Sequence, residues 1–151
     1  MSDAVALPST TARHDLPFLF AGQAQKEAFI NEALARIDIL LHPAFVFETG
    51  TPPGDPEAGS TYLVAQNATG DWSERTGALA AWTGSAWIFV SPRSGMIARD
   101  LSSGQTLNYD GDWRRTAAPP EPEGGHTIDA ECRASLLALV DTLRSLGIFS
   151  S

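Results

Sequence analysis

The chain has 151 residues, 43% of them hydrophobic, enough for one domain, or one domain with a terminal arm, that buries about two-thirds of its unfolded surface. Ten Lys and Arg against 18 Asp and Glu leave a formal charge of −8, which argues against nucleic acid and anionic membranes as partners, because both need clustered cations. A single cysteine, Cys132, excludes an intrachain disulfide and a Cys-rich zinc site. No run nears the ~20 apolar residues of a membrane span, and the N-terminus lacks the basic and then apolar pattern of a signal peptide.

Residues 1–20 read as an extended arm, rich in Ser, Thr and Ala, that orders only where something holds it. A helix is expected over 21–42, with Gly22 as a permissive N-cap and a stop at His42, because a residue before proline leaves the α region. Ile30, Leu34, Ile37 and Leu41 follow one another by four, three and four residues, which is heptad spacing. With Leu at a and Ile at d, such a seam favours three or four strands over two. A stripe of about two heptads fits a copy of itself or the core of its own domain, and periodicity alone does not choose.

From 44 to 116 the texture changes to short β-like runs separated by Gly, Pro, Asn and Asp, the pattern of a small antiparallel domain of hairpins. Ala44–Glu48 and Thr61–Ala65 read as strands. Gly84-Ser85 fits a type II′ turn that sets Trp82 opposite Trp87, Ala80 opposite Phe89, Ala81 opposite Ile88 and Leu79 opposite Val90. Both faces of that hairpin are apolar, so it should be central and covered twice. Met96–Ala98 is a further strand, and Asp110-Gly111 suits a type I′ turn between Gln105–Tyr109 and Asp112–Arg115. Residues 117–126, rich in Pro and Gly, form a linker. In the last segment, 127–151, Asp129 can cap a helix over 130–146 that Gly147 ends. Its Cys132, Leu136, Leu139, Leu143 and Leu146 repeat the heptad spacing. The expected class is thus α+β, with a helix on either side of the β region, and Ile30, Leu34, Ile37, Leu41, Leu136, Leu139 and Leu143 are the candidate oligomer interface.

No catalytic residue, metal ligand or cofactor site follows from the motifs. His14, His42 and His126 stand in the arm, at a helix end and beside Gly-Gly, and glycine-rich phosphate loops and metal-ligand spacings are missing. Among the aromatics, Trp72 and Trp113 stand in turns beside Gly and Asp, and with Tyr109 they are candidates for stacking on a sugar ring. Trp82 and Trp87 read as core.

The block Ala21-Gly22-Gln23-Ala24-Gln25-Lys26, followed by Asn31-Glu32-Ala33-Leu34 and Asp38, resembles a family found in phages, prophages and gene-transfer-agent-like particles, the domain of unknown function 2793. Further likeness runs through Gly59–Val64, Ala68–Trp72, Gly77–Trp82 and Trp87–Phe89 to the closing Asp129-Ala130-Glu131. That resemblance implies a non-enzymatic part of a virus-like particle, assembled in the bacterial cytoplasm: a short tail fibre, spike or adaptor that anchors a host-recognition element. It further implies a homotrimer whose N-terminal arm docks on another particle protein. A carbohydrate-binding module for host capsule or surface polysaccharide is the alternative.

Overall fold

The computed structural model describes residues 10–14, 16–19 and 27–149. The class is α+β, as expected, and the chain divides after Pro92 into two compact units. The β region expected as one domain over 44–116 is therefore shared between them.

In the first unit, helix α1 (Glu27–Leu41) ends where His42-Pro43 requires. The expected helix start around Gly22, and the side chains of Gln25 and Lys26, lie outside the described residues. The run expected as one strand from Ala44 to Glu48 breaks in two, β1 (Ala44–Phe45) and β2 (Glu48–Thr49). Between them Val46 N donates to Thr61 O of β3 (Thr61–Val64) at 2.8 Å, and β2 pairs with β3 in parallel. Strands β4 (Leu79–Trp82) and β5 (Trp87–Val90) complete the order β2-β3-β4-β5.

The β4–β5 register is the one expected from the turn, with Leu79, Ala80, Ala81 and Trp82 opposite Val90, Phe89, Ile88 and Trp87. Gly84 takes φ +96°, and the Thr83 hydroxyl accepts from Ala86 N at 3.1 Å, so a side chain closes the turn. Of the two hairpin strands only β4 is interior, however. At the edge strand β5 the free Phe89 carbonyl is met by Arg36 of α1, whose Nη1 donates at 2.9 Å.

Each face of this sheet has its own cover. Tyr62, Val64 and Ala80 pack with Ala78 and with Trp72, which a single 3-10 turn (Gly70–Trp72) tucks beneath them. On the other face Leu63, Leu79 and Ala81 are buried, and Ala35 and Ile39 of α1 line a small cleft with Ala81 and Phe18. The apolar doubling read from the hairpin sequence is thus satisfied within one chain.

The second unit runs through β6 (Ile97–Asp100), β7 (Thr106–Tyr109) and β8 (Trp113–Arg114), successive antiparallel neighbours, to helix α2 (Ala130–Ser145). Ala98 faces Leu107 at the centre, and both are buried. The β7–β8 connection differs from the expected type I′ turn. Tyr109 pairs with Trp113, which leaves a three-residue loop, and only Gly111 has positive φ, +86°. A type I′ turn needs positive φ at both central residues, and Asp110 does not adopt it. Asp129 caps α2 as expected, its Oδ1 accepting from Cys132 N at 2.9 Å. The helix ends in a Schellman motif, with Ile148 N donating to Leu143 O at 2.9 Å and Gly147 N to Arg144 O at 2.8 Å.

Candidate interaction surface

Helix α1 presents a mixed pattern: Asn31 and Asp38 face its own unit together with Ala35 and Ile39, while an apolar stripe, flanked by the exposed Glu32 and Arg36, faces solvent. Asn31, Ala35, Asp38 and Ile39 are buried, whereas Ile30, Ile37 and Leu41 are 42%, 47% and 49% exposed and Phe29 is 79% exposed. Leu34 is half-buried. Of the four residues expected in a seam, three therefore keep about half their surface free, and Phe29 and Leu40 widen the stripe. A monomeric protein rarely leaves such a strip of large apolar side chains uncovered.

The polar face is buried because it satisfies a second piece of backbone. Asp38 Oδ1 accepts from Thr11 Oγ1 and His14 N, both at 2.8 Å, and its Oδ2 accepts from Arg13 N at 3.0 Å. Asn31 pairs with both main-chain groups of Leu19, accepting from its N at 2.9 Å and donating to its O at 3.0 Å, as a strand neighbour would. The Arg13 guanidinium donates to the carbonyls of His42 at 2.8 Å and Ile39 at 3.2 Å, groups that a helix C-terminus leaves without partners. Residues 10–14 and 16–19, expected as a loose arm reaching for a neighbour, are thus fastened to α1 of the same chain. The physical reason is the carboxylate at 38, which needs donors once buried and finds them in backbone N–H groups. Residues 1–9 lie outside the described residues.

Neither Asn31 nor Asp38 is among the candidate residues read from the sequence, although both are buried. The signal was there: Asn31, Ala35 and Asp38 repeat the four-and-three spacing of the apolar stripe beside them.

In α2 no residue is buried. Leu136 and Leu139 stand exposed and Leu143 half-buried, so this second stripe keeps much of its surface free. The linker expected to divide sheet from tail lies against the helix instead. Arg133 Nη1 donates to Pro122 O at 3.0 Å and its Nη2 to Gly124 O, and Pro119, Pro120 and Pro122 line a groove with Leu136, Leu137 and Val140.

The sugar-stacking candidates do not form a platform. Trp72 has 0% exposure, so no ligand reaches it; the 3-10 turn that looked solvated in sequence folds its indole under the sheet. Trp113 and Tyr109 are half-buried and meet edge to face, centroids 5.2 Å apart at 64°, a hairpin pair rather than a flat surface. Trp82 and Trp87, read as core, are half-buried and 5.1 Å apart.

The strongest electrostatic feature is structural. Asp100 is buried on β6, its Oδ1 accepting from Ser102 Oγ at 2.6 Å, Ser102 N at 2.9 Å and Ser103 N at 3.3 Å, while Arg115 Nη1 meets its Oδ2 at 2.5 Å. Burial pushes its pKa up, but the bonds from Ser102, Arg115 and Ser103 outweigh it and bring the pKa from 3.8 to about 2. A lowered carboxylate pKa stabilises the fold above the unfolded value and loses that contribution as pH falls through the folded one. Denaturant unfolding should therefore show stability falling by about 2 kcal/mol between about pH 5 and pH 1, with Asp100→Asn flattening that slope. An unchanged slope in the variant would show that another group carries it.

Among the described residues, no group of three or more His, Cys, Asp or Glu is placed to share a metal ion, and no helix is long and apolar enough to cross a membrane. No curated protein matches the sequence. Residues 30–114, from α1 to β8, match a family model, and the chain accordingly belongs to the family described as a protein of unknown function (DUF2793).

Proposed function

We propose that the protein is a structural component of a phage or phage-like particle of the gene-transfer-agent kind, a short tail fibre, spike or adaptor that works as a homotrimer. The observation that carries this reading is the outward apolar stripe of α1, whose Leu-at-a and Ile-at-d seam suits three-fold packing. The likeness of the Ala21–Lys26 block to particle proteins supplies the setting, with assembly in the bacterial cytoplasm and contact with other particle proteins. We assign the protein no enzymatic activity and no cofactor. Carbohydrate binding is the weaker reading, since Trp72 is enclosed and Trp113 packs on Tyr109.

Light scattering of the purified protein at micromolar concentration should give three chain masses, and Ile37→Asp, which places a charge in the middle of the stripe, should give one. A wild-type monomer overturns the trimer. The particle setting is tested separately: the chain should co-purify with intact particles from a producing strain at a fixed ratio to the major capsid protein, and its absence from them overturns that part.

A further inference from the structure

Helix α2 is tied to its sheet through the tail that follows it. Gly147 O accepts from Thr106 N at 2.6 Å, Ile148 O accepts from Gln105 Nε2 at 3.2 Å, and Phe149 bridges Thr116, so the tail after the helix is stitched into its sheet. The 16 residues before it are held by no burial of their own. Isolated helices of this length are marginal in water and depend on packing of an apolar face.

That face has the form of a seam. With Leu136 and Leu143 at a, positions d are Cys132, Leu139 and Leu146, two heptads in which leucine fills every place but one. The charges fall outside it. Glu131, Asp141 and Arg144 occupy c, f and b, Arg144 already pairs with Asp141 at 3.0 Å, and Arg133 at e is engaged by the linker carbonyls. Between Cys132 and Leu146 two copies side by side therefore bring leucine to leucine without opposing like charges, and the nearest charge on the seam line is the cap Asp129, at the a position one heptad before Leu136. Leu136, Leu139 and Leu146 are 46%, 53% and 61% exposed, which amounts to roughly 300 Å² per copy, below the ~800 Å² per partner of a standard interface. A seam of that size sets alignment and register.

We propose that α2 packs against α2 of other copies of this chain, parallel and in register, so that Cys132 of one chain lies beside Cys132 of the next. Three-fold rotational symmetry along the helix axis permits only the parallel arrangement. The inference rests on the self-associating reading above and goes further by naming the helix, its register and its direction.

The native cysteine reports that geometry. With diamide as the oxidant that takes two electrons and two protons from a pair of thiols, the full-length protein should form a disulfide-linked dimer on a non-reducing gel, and Cys132→Ser should abolish it. In the Cys132→Ser background, Leu139→Cys at the next d position should restore the link, whereas Asp141→Cys on the outward face should link about tenfold more slowly, because disulfides need their Cα atoms close. All three positions are solvent-exposed, so none of the substitutions opens a core. Equal rates at 139 and 141, or no link at 132 and 139, overturn the seam. Light scattering on the same samples separates the two failures: an oligomer without these links removes only the α2 seam, while a monomer removes self-association as well.

Discussion

Trp72→Ala should destabilise the first unit by about 3–5 kcal/mol, the usual range for truncating a buried tryptophan. The side chain has 0% exposure and forms the floor on which three other rings rest. Trp87 meets it at 5.1 Å and 89°, Phe89 at 6.3 Å and 88°, and Tyr62 at 6.4 Å and 44°. Its indole N–H has no hydrogen-bond partner, and perpendicular neighbours suit that arrangement, since edge-to-face packing sets the positive rim of a ring against a π face. Trp72→Phe keeps much of the volume and should cost about 1–2 kcal/mol, nearer the figure for a partly conservative core change. Chemical denaturation followed by far-ultraviolet circular dichroism measures both. A loss under about 1 kcal/mol for Trp72→Ala would contradict the packing. The result also bears on the sugar reading, because any binding lost with Trp72→Ala would reflect a collapsed core and not a missing contact.

Where a single residue type fixes backbone geometry, the fold was legible in the sequence. Gly84 at a two-residue turn set the pairing of four residue pairs in β4 and β5, since side chains alternate and a slip by one would turn every apolar residue to the wrong face. Asp129 and Gly147 marked both ends of α2 for similar reasons, one as an acceptor for a free N–H and the other as a residue at ease with φ +74°. Asp110-Gly111 shows the limit. The dipeptide signals a turn, but loop length decides which turn, and here Tyr109 and Trp113 pair their rings across a three-residue loop.

Periodicity identified both helical stripes without saying which side of α1 its own unit would claim. Hydrophobic burial alone would choose Ile30, Leu34, Ile37 and Leu41. The structure buries Asn31 and Asp38 instead because residues 10–14 and 16–19 bring backbone groups and the Thr11 hydroxyl to them, and a buried carboxylate with three donors is stable where an unpaired one is not. That choice depends on a segment remote in sequence, which a local window cannot register. Trp72 misled in the opposite sense. Gly70 and Asp71 beside it are turn formers, and the turn they make is what carries the indole inward.

Gly147→Ala should be the most damaging change in the second unit, at about 3 kcal/mol, from two separable causes. The left-handed conformation at φ +74° costs an L-residue about 1–2 kcal/mol. A Cβ there would also fall within contact distance of the Arg99 guanidinium and, less avoidably, of the Gly104 carbonyl oxygen, and overpacking of that kind costs about 1–3 kcal/mol. Gly111→Ala is the control, because its φ of +86° is as demanding but nothing lies within 4 Å of the added methyl. Thermal or denaturant unfolding of the two variants should differ by about 2 kcal/mol, the part due to the close approach. Equal losses would show that backbone conformation alone explains Gly147. Hydrogen exchange locates the damage: the Thr106 amide, which donates to Gly147 O, should lose protection in Gly147→Ala while the Asp100 amide, which donates to Gln105 O, keeps it. Because Gly147 and the residues after it tie the end of α2 to its sheet, displacing them loosens the hold of the sheet on the helix. Gly147→Ala should then also slow disulfide linking through Cys132, although no atom of residue 147 lies in the seam.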